Sequence, residues 1–204
     1  MTRFFDILFS LVGLVILFPL LIVIYLMVVL ESRGGGFYVQ KRVGRNGKDF
    51  KLYKFRSMHI GADKKGMITV GETDPRMTNV GVFIRHFKLD ELPQLLNVLR
   101  GDMSLVGPRP ELKFYVDIYT SEQRKVLTVR PGITDYASIE YLDENRILGS
   151  SVDPQRAYIE EIMPHKIRLN MKYIERQSLK EYFKVIFLTF SQIVKRRNIV
   201  DNGE

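Results

Sequence analysis

The sequence predicts an α+β protein attached to a membrane, and three observations carry that prediction. Residues Ile7 to Leu30 contain no charge and exceed the roughly 20 residues a helix needs to cross a bilayer. Phe37–Val43 and Asp49–Phe55 have strand composition and flank Asn46-Gly47, a strong hairpin-turn signal. Leu92, Leu95, Leu96 and Leu99 recur at helical spacing, as do the apolar residues from Leu179 to Val194, so helices follow the hairpin. The 204 residues, with 10 tyrosines and 13 phenylalanines, suffice for one good core. The expected organisation is a membrane helix over 1–32, a globular part over 33–168, and basic amphipathic helices over 169–204 that belong to the same domain.

Taken in order, the apolar run is too long for a signal-peptide core. Glu31, Ser32, Arg33 and three glycines follow it in place of a small-residue cleavage site, so it is expected to stay in the mature chain. Pro19 removes a backbone hydrogen bond in mid-run, and a kink or break is expected there. A straight span would place Met1 across the membrane from Arg33, Lys41, Arg42 and Arg45, whereas a re-entrant hairpin returns both ends to one face. The residues leave both geometries open.

The hairpin interleaves Lys41, Arg42, Lys48, Lys51, Lys54 and Arg56 with Phe37, Tyr38, Phe50, Tyr53 and Phe55. Such a surface suits bases, lipid headgroups or a diphosphate, and it equally describes an ordinary half-buried strand pair. The net charge of +8 favours anionic partners. Cysteine is absent, which excludes disulfides and thiolate metal sites, and His59, His86 and His165 lack zinc-site spacing. Gly61 to Gly66 has Met67 where a phosphate loop needs lysine, and no GxGxxG occurs. Ile60 to Thr78 reads as a polar loop, a candidate lid over substrate.

The segment KLDELPQLLNVLRGDMSLVGPRP, Lys88 to Pro110, is the most informative. Its leucine spacing starts a helix close to Asp90, with Pro93 in the first turn and the leucines buried. Asp90 and Glu91 then sit at the positive end of a helix dipole, which stabilises carboxylates and attracts phosphate. The pair reads either as an ionised nucleophile beside an anionic substrate or as simple helix capping. Gly107-Pro108-Arg109-Pro110 presents Arg109, whose planar fork suits phosphate or a structural carboxylate. Val129 to Thr134 reads as another stiff turn, and Asp153-Pro154 marks a helix start.

Behind the proline-interrupted apolar start come YVQKRVGRNGKDFKLYKFRSM (Tyr38 to Met58), DPRMTNVGVFIRHFKLDELPQLLNVLRGDMSLVGPRPE (Asp74 to Glu111) and RPGIT (Arg130 to Thr134). In this order they resemble the bacterial polyprenyl-phosphate phosphoglycosyl transferases of the monotopic superfamily, the small initiating sugar transferases. The resemblance covers nearly the whole chain. It implies transfer of a sugar 1-phosphate from a UDP-sugar donor to a membrane polyprenyl (undecaprenyl) phosphate acceptor, with Mg2+, a covalent aspartyl intermediate and release of UMP. It further implies Asp90 as nucleophile, and Glu91 as magnesium ligand or proton manager. Arg85 and Arg109 are the implied phosphate contacts, with Lys54 and Arg56 as weaker candidates, and Asp90 and Glu91 are the metal ligands. A re-entrant helix broken at Pro19 in the bacterial inner membrane, with the catalytic domain on the cytoplasmic face and contact to membrane lipid, belongs to the same expectation. No nucleic-acid partner is expected, and a homo-oligomer is left open. The chain departs from the pattern at Phe18, where a serine often precedes the proline, and at Asp135-Tyr136, where Gly-Trp is common. Two other classes remain: a membrane-anchored module binding anionic lipid or nucleic acid, and a metal-dependent nucleotide-sugar hydrolase.

Overall fold

The computed structural model describes residues 2–62 and 74–201, with side chains through residue 192. Most of the loop expected as a lid therefore lies outside the described residues. Helix α1 (Thr2–Glu31) leads into β1 (Phe37–Val43) and β2 (Asp49–Phe55), then α2 (Asn79–His86) and α3 (Gln94–Arg100). Next come β3 (Ser104–Val106), α4 (Lys113–Asp117), β4 (Gly132–Thr134), α5 (Tyr136–Glu140) and α6 (Glu144–Gly149). The chain closes with α7 (Pro154–Ala157), α8 (Met163–Glu175) and α9 (Leu179–Asp201). A π-helical turn over Tyr158–Ile162 joins α7 to α8. This is an α+β architecture with two small two-stranded sheets, one antiparallel and one parallel.

The hairpin has the expected bounds, and Phe37 opposes Phe55 while Val43 opposes Asp49. Its turn works because Asn46 and Gly47 both take positive φ, which asparagine and glycine tolerate best. Asp153 caps α7 by accepting from the Arg156 N–H at 3.0 Å, with Pro154 at the first helical position. The stiff turn expected over Val129–Thr134 is partly a strand. Gly132–Thr134 pairs in parallel with Ser104–Val106, and a Cβ on Gly132 would stand 2.1 Å from the Gly107 nitrogen. Only glycine lets the two backbones approach so closely. The main core lies under β1, α4 and α8, from Val43 through Tyr115, Val126 and Leu148 to Ile167.

Helix α1 is long and apolar enough to cross a membrane, at about 45 Å for 30 residues. Of the kink or break expected at Pro19 it shows no break: the helix runs from Thr2 to Glu31 with Pro19 inside it. One missing N–H removes a single intrahelical bond, and the turns on either side keep theirs. Both ends of α1 are tied to the globular part. Near the start, the Asp6 carboxylate is buried and accepts from Ser104 Oγ, Leu105 N and Tyr182 Oη, each at 2.9 Å. Arg3 donates to the carbonyls of Val98 and Leu99 at the end of α3. Near its end, Ile24 and Val28 pack with Phe55 and Ile84, and Glu31 accepts from the Val80 N–H. Between these anchors Val15, Ile16 and Phe18 are 67%, 70% and 60% exposed.

Candidate active site

Asp90 and Glu91 lie in a short 3-10 turn, Leu89–Glu91, entered through Lys88 in the left-handed conformation. The α-helix begins only at Gln94, so the pair precedes it rather than occupying its first turn. Proline is the reason. Pro93 has no N–H to donate to Leu89, and the chain winds with the shorter bonds Leu92 N to Leu89 O and Leu95 N to Leu92 O. Leu89 and Leu92 pack into the cluster of Ile24, Val28, Phe55 and Ile84, which seats the carboxylate turn against α1.

The buried side of α3 also differs from the expectation. Gln94, Asn97 and Val98 are buried, while Leu96 is 40% exposed and the other leucines are half-buried. Asn97 explains the inversion. Its Oδ1 accepts from Tyr53 N at 3.0 Å and its Nδ2 donates to Lys51 O at 2.7 Å, so the side chain pairs with the edge of β2 as a neighbouring strand would. The leucine side turns toward α1, where Leu95 meets Gly13.

The structure brings three of the expected residues into direct contact. Lys54 Nζ lies 3.0 Å from Glu91 Oε1, and Arg109 holds both Glu91 oxygens in a bidentate pair. Burial disfavours the charge on Glu91, but Arg109 and Lys54 overcome it and hold the carboxyl well below the usual carboxylate range. Burial lowers the Lys54 pKa, with Glu91 opposing, while Glu91 raises that of Arg109. Asp90 is treated differently. Among the described residues none forms an ion pair or hydrogen bond with its carboxylate, which is 5% exposed. Burial raises its pKa, Lys54 opposes the rise and Glu91 adds to it, with Arg85 and Lys88 near enough to pull it back. One carboxylate is locked between two cations, and its neighbour is buried, with the cations around it acting only through longer-range charge.

Arg56 is a correction. Its guanidinium donates to the carbonyls of Val28, Ser32 and Arg33, so it caps the end of α1 and does not join the dyad. A cation there also complements the negative end of the helix dipole. Arg42 was not singled out as a site residue, yet it lies half-buried near Glu91 and Arg109, donating to Pro110 O at 3.1 Å with Glu111 at 3.6 Å. The signal was available. Once Asn46-Gly47 fixes the register, the period of two puts Arg42 and Lys54 on one face of the hairpin.

A magnesium ion takes oxygen ligands, commonly one or two carboxylates plus substrate phosphates and waters. Asp90 fits that set. Both Glu91 oxygens are already held, so Glu91 joins a metal only where Lys54 and Arg109 turn toward phosphate.

A carboxylate pair set among Lys54, Arg109, Arg85 and Arg42, seated against an exposed apolar helix, is a site for anionic chemistry at an apolar surface. The model of the family described as bacterial sugar transferase matches residues 1–196, and the chain belongs to that family. It is 47% identical over 120 residues to the uncharacterized sugar transferase EpsL of Bacillus subtilis, covering 58% of each chain. It is 35% identical over 195 residues to the UDP-N-acetylgalactosamine-undecaprenyl-phosphate N-acetylgalactosaminephosphotransferase of Aeromonas hydrophila, covering 94% of this chain and 43% of the relative. It is 36% identical over 188 residues to the UDP-glucose:undecaprenyl-phosphate glucose-1-phosphate transferase of Escherichia coli, covering 90% and 38%. The chain thus spans less than two thirds of the length of these relatives.

Proposed function

We propose that this chain transfers a sugar 1-phosphate from a UDP-sugar to a membrane polyprenyl phosphate, undecaprenyl phosphate by analogy with its relatives, in a first membrane step of glycoconjugate synthesis. The observation that carries the reading is the contrast within the dyad: Glu91 is clamped by Lys54 and Arg109, and Asp90 is buried beside it with no hydrogen bond or ion pair to its carboxylate among the described residues. A desolvated, unpaired carboxylate is a stronger nucleophile than a hydrated one, and the clamped cations stand where phosphate charge develops.

In the donor half-reaction an Asp90 oxygen attacks the β-phosphorus. The bond from that phosphorus to the bridging oxygen breaks, UMP leaves with the oxygen, and Asp90 carries the phosphosugar as an acyl phosphate. In the acceptor half-reaction an oxygen of the polyprenyl phosphate attacks the same phosphorus and the Asp90 carboxylate is restored. Bound magnesium would neutralise diphosphate charge and favour departure of UMP. Arg109, Lys54 and Arg85 orient the phosphates, and Glu91 fixes the first two cations.

The anchoring of α1 supports attachment from one side of the membrane. Both ends, through Asp6 and through Val28, bind one globular body, while the exposed middle offers apolar surface to lipid. Use of a UDP-sugar donor would accord with that body lying at the cytoplasmic face of the inner membrane. The reading is tested by incubating the purified protein with UDP-sugars, magnesium and polyprenyl phosphate. The expected result is UMP together with a polyprenyl-diphosphate sugar, both lost in Asp90→Asn. UMP formation without a lipid product would favour hydrolysis, and no turnover by folded protein across the donor panel would favour a binding module.

A further inference from the structure

Arg109 lies between Pro108 and Pro110, neither of which has an N–H. Its own amide is therefore the sole backbone donor between Gly107 and Glu111. That amide donates to Asp135 Oδ2 at 2.9 Å. The other oxygen of the same carboxylate, Oδ1, accepts from Ser138 N and caps α5. Asp135 is 1% exposed, and among the described residues no side-chain cation pairs with it. Other polar groups of the turn are fixed as well: Gly107 N donates to Thr134 O, Gly132 N to Pro108 O, Arg42 to Pro110 O, and Val43 N to Glu111 O.

We propose that Asp135 is a positioning residue, whose carboxylate bridges the start of α5 to the one free amide of the Pro-Arg-Pro turn and so aims Arg109 at Glu91. This rests on the transferase reading above. The backbone at Arg109 has no other donor with which to hold its direction, and a guanidinium makes a bidentate pair only when its approach is fixed. The buried carboxylate is satisfied by two N–H groups, one of them at the start of α5, so it needs no cation of its own.

Two substitutions separate anchoring from capping. Asparagine caps helices as well as aspartate does; in Asp135→Asn the oxygen keeps Ser138 while the amide NH2 faces the Arg109 N–H, donor against donor. Asp135→Ser keeps a cap and is too short to reach Arg109. Both are expected to keep the circular dichroism of the parent with a lowered thermal midpoint, since the Arg109 N–H loses its acceptor, and, assayed where they remain folded, to lose about tenfold or more in kcat/KM for UMP release. In an Arg109→Ala background Asp135→Asn is expected to add less than about twofold. Amide hydrogen exchange gives a readout that does not need activity: Arg109 loses protection in Asp135→Asn while Ser138 keeps it. Wild-type-like kcat/KM in both variants, an unchanged loss in the Arg109→Ala background, or retained Arg109 protection would overturn the proposal and leave Asp135 a helix cap. Absence of UMP release by the parent protein would instead remove the transferase reading, and the exchange measurement would still decide the anchor.

Discussion

Replacing Glu91 by glutamine removes the one negative charge that Lys54 and Arg109 share. The Lys54 and Glu91 side chains are 14% and 11% exposed, while that of Arg109 is 34% exposed. Stranding one buried charge costs about 3–5 kcal/mol. Two cations are stranded here, but Arg109 recovers part of its hydration, so the expected destabilisation of Glu91→Gln is about 3–4 kcal/mol. Lys54→Met leaves Glu91 in its bidentate pair with Arg109 and is expected to cost about 1–2 kcal/mol. In the double variant Lys54 is no longer stranded, so the two losses sum to at least about 1 kcal/mol less than additivity. Reversible chemical denaturation in mild detergent measures this, followed by circular dichroism because the chain has no tryptophan. A Glu91→Gln cost below about 1 kcal/mol, the range of exposed pairs, or an additive cycle would refute the clamp.

The pH dependence of UMP release follows from Asp90. In the proposed mechanism its active form is the carboxylate, and burial raises its pKa, so the rate is expected to fall as pH drops through a limb above the ordinary carboxylate value. Lys54→Met moves that limb higher still, and a limb at or below the ordinary value in kcat/KM profiles contradicts the assignment. Asn97→Leu leaves Tyr53 N and Lys51 O without partners and is expected to cost about 2–4 kcal/mol in the same denaturation assay. Arg56→Met frees three carbonyls at the end of α1 and lowers stability by about 2 kcal/mol, with the donor KM within twofold of the parent. Cysteines introduced at Thr2 and Ser32 react with an impermeant reagent from the same side of sealed vesicles; reaction from opposite sides would show that α1 spans.

Periodicity and turn chemistry made much of the fold legible. The hairpin was readable because Asn46-Gly47 demands positive φ and the flanking strands alternate, and the α7 start because Asp153-Pro154 combines a cap with a first-turn proline. Long-range pairing was not. The union of β3 with β4 depends on the close approach of Gly107 to Gly132, which no local pattern encodes. The leucine stripe of α3 misled because the spacing shows that a face is apolar and not what it meets. Asn97 turned the polar side inward by pairing with β2, and the leucines were left for α1. Lys54, Glu91 and Arg109 were legible as residue types, yet their convergence depends on the folded chain. Arg56 carried the same basic signal as Lys54, and only the position of the α1 end distinguishes a helix cap from a site cation. Asp135 looked like a departure of unknown meaning, since its two N–H partners lie on segments that the sequence does not bring together.

The proposed mechanism attaches the phosphosugar covalently to Asp90 and not to Glu91. The direct measurement is mass spectrometry of the protein after brief incubation with a turnover-competent UDP-sugar and magnesium, without lipid acceptor, followed by fragmentation of the peptide that begins at Leu89. The expected result is a phosphosugar increment localised to Asp90, absent in Asp90→Asn and discharged on addition of polyprenyl phosphate. An increment localised to Glu91, or UMP release with no adduct at any time point, would contradict it.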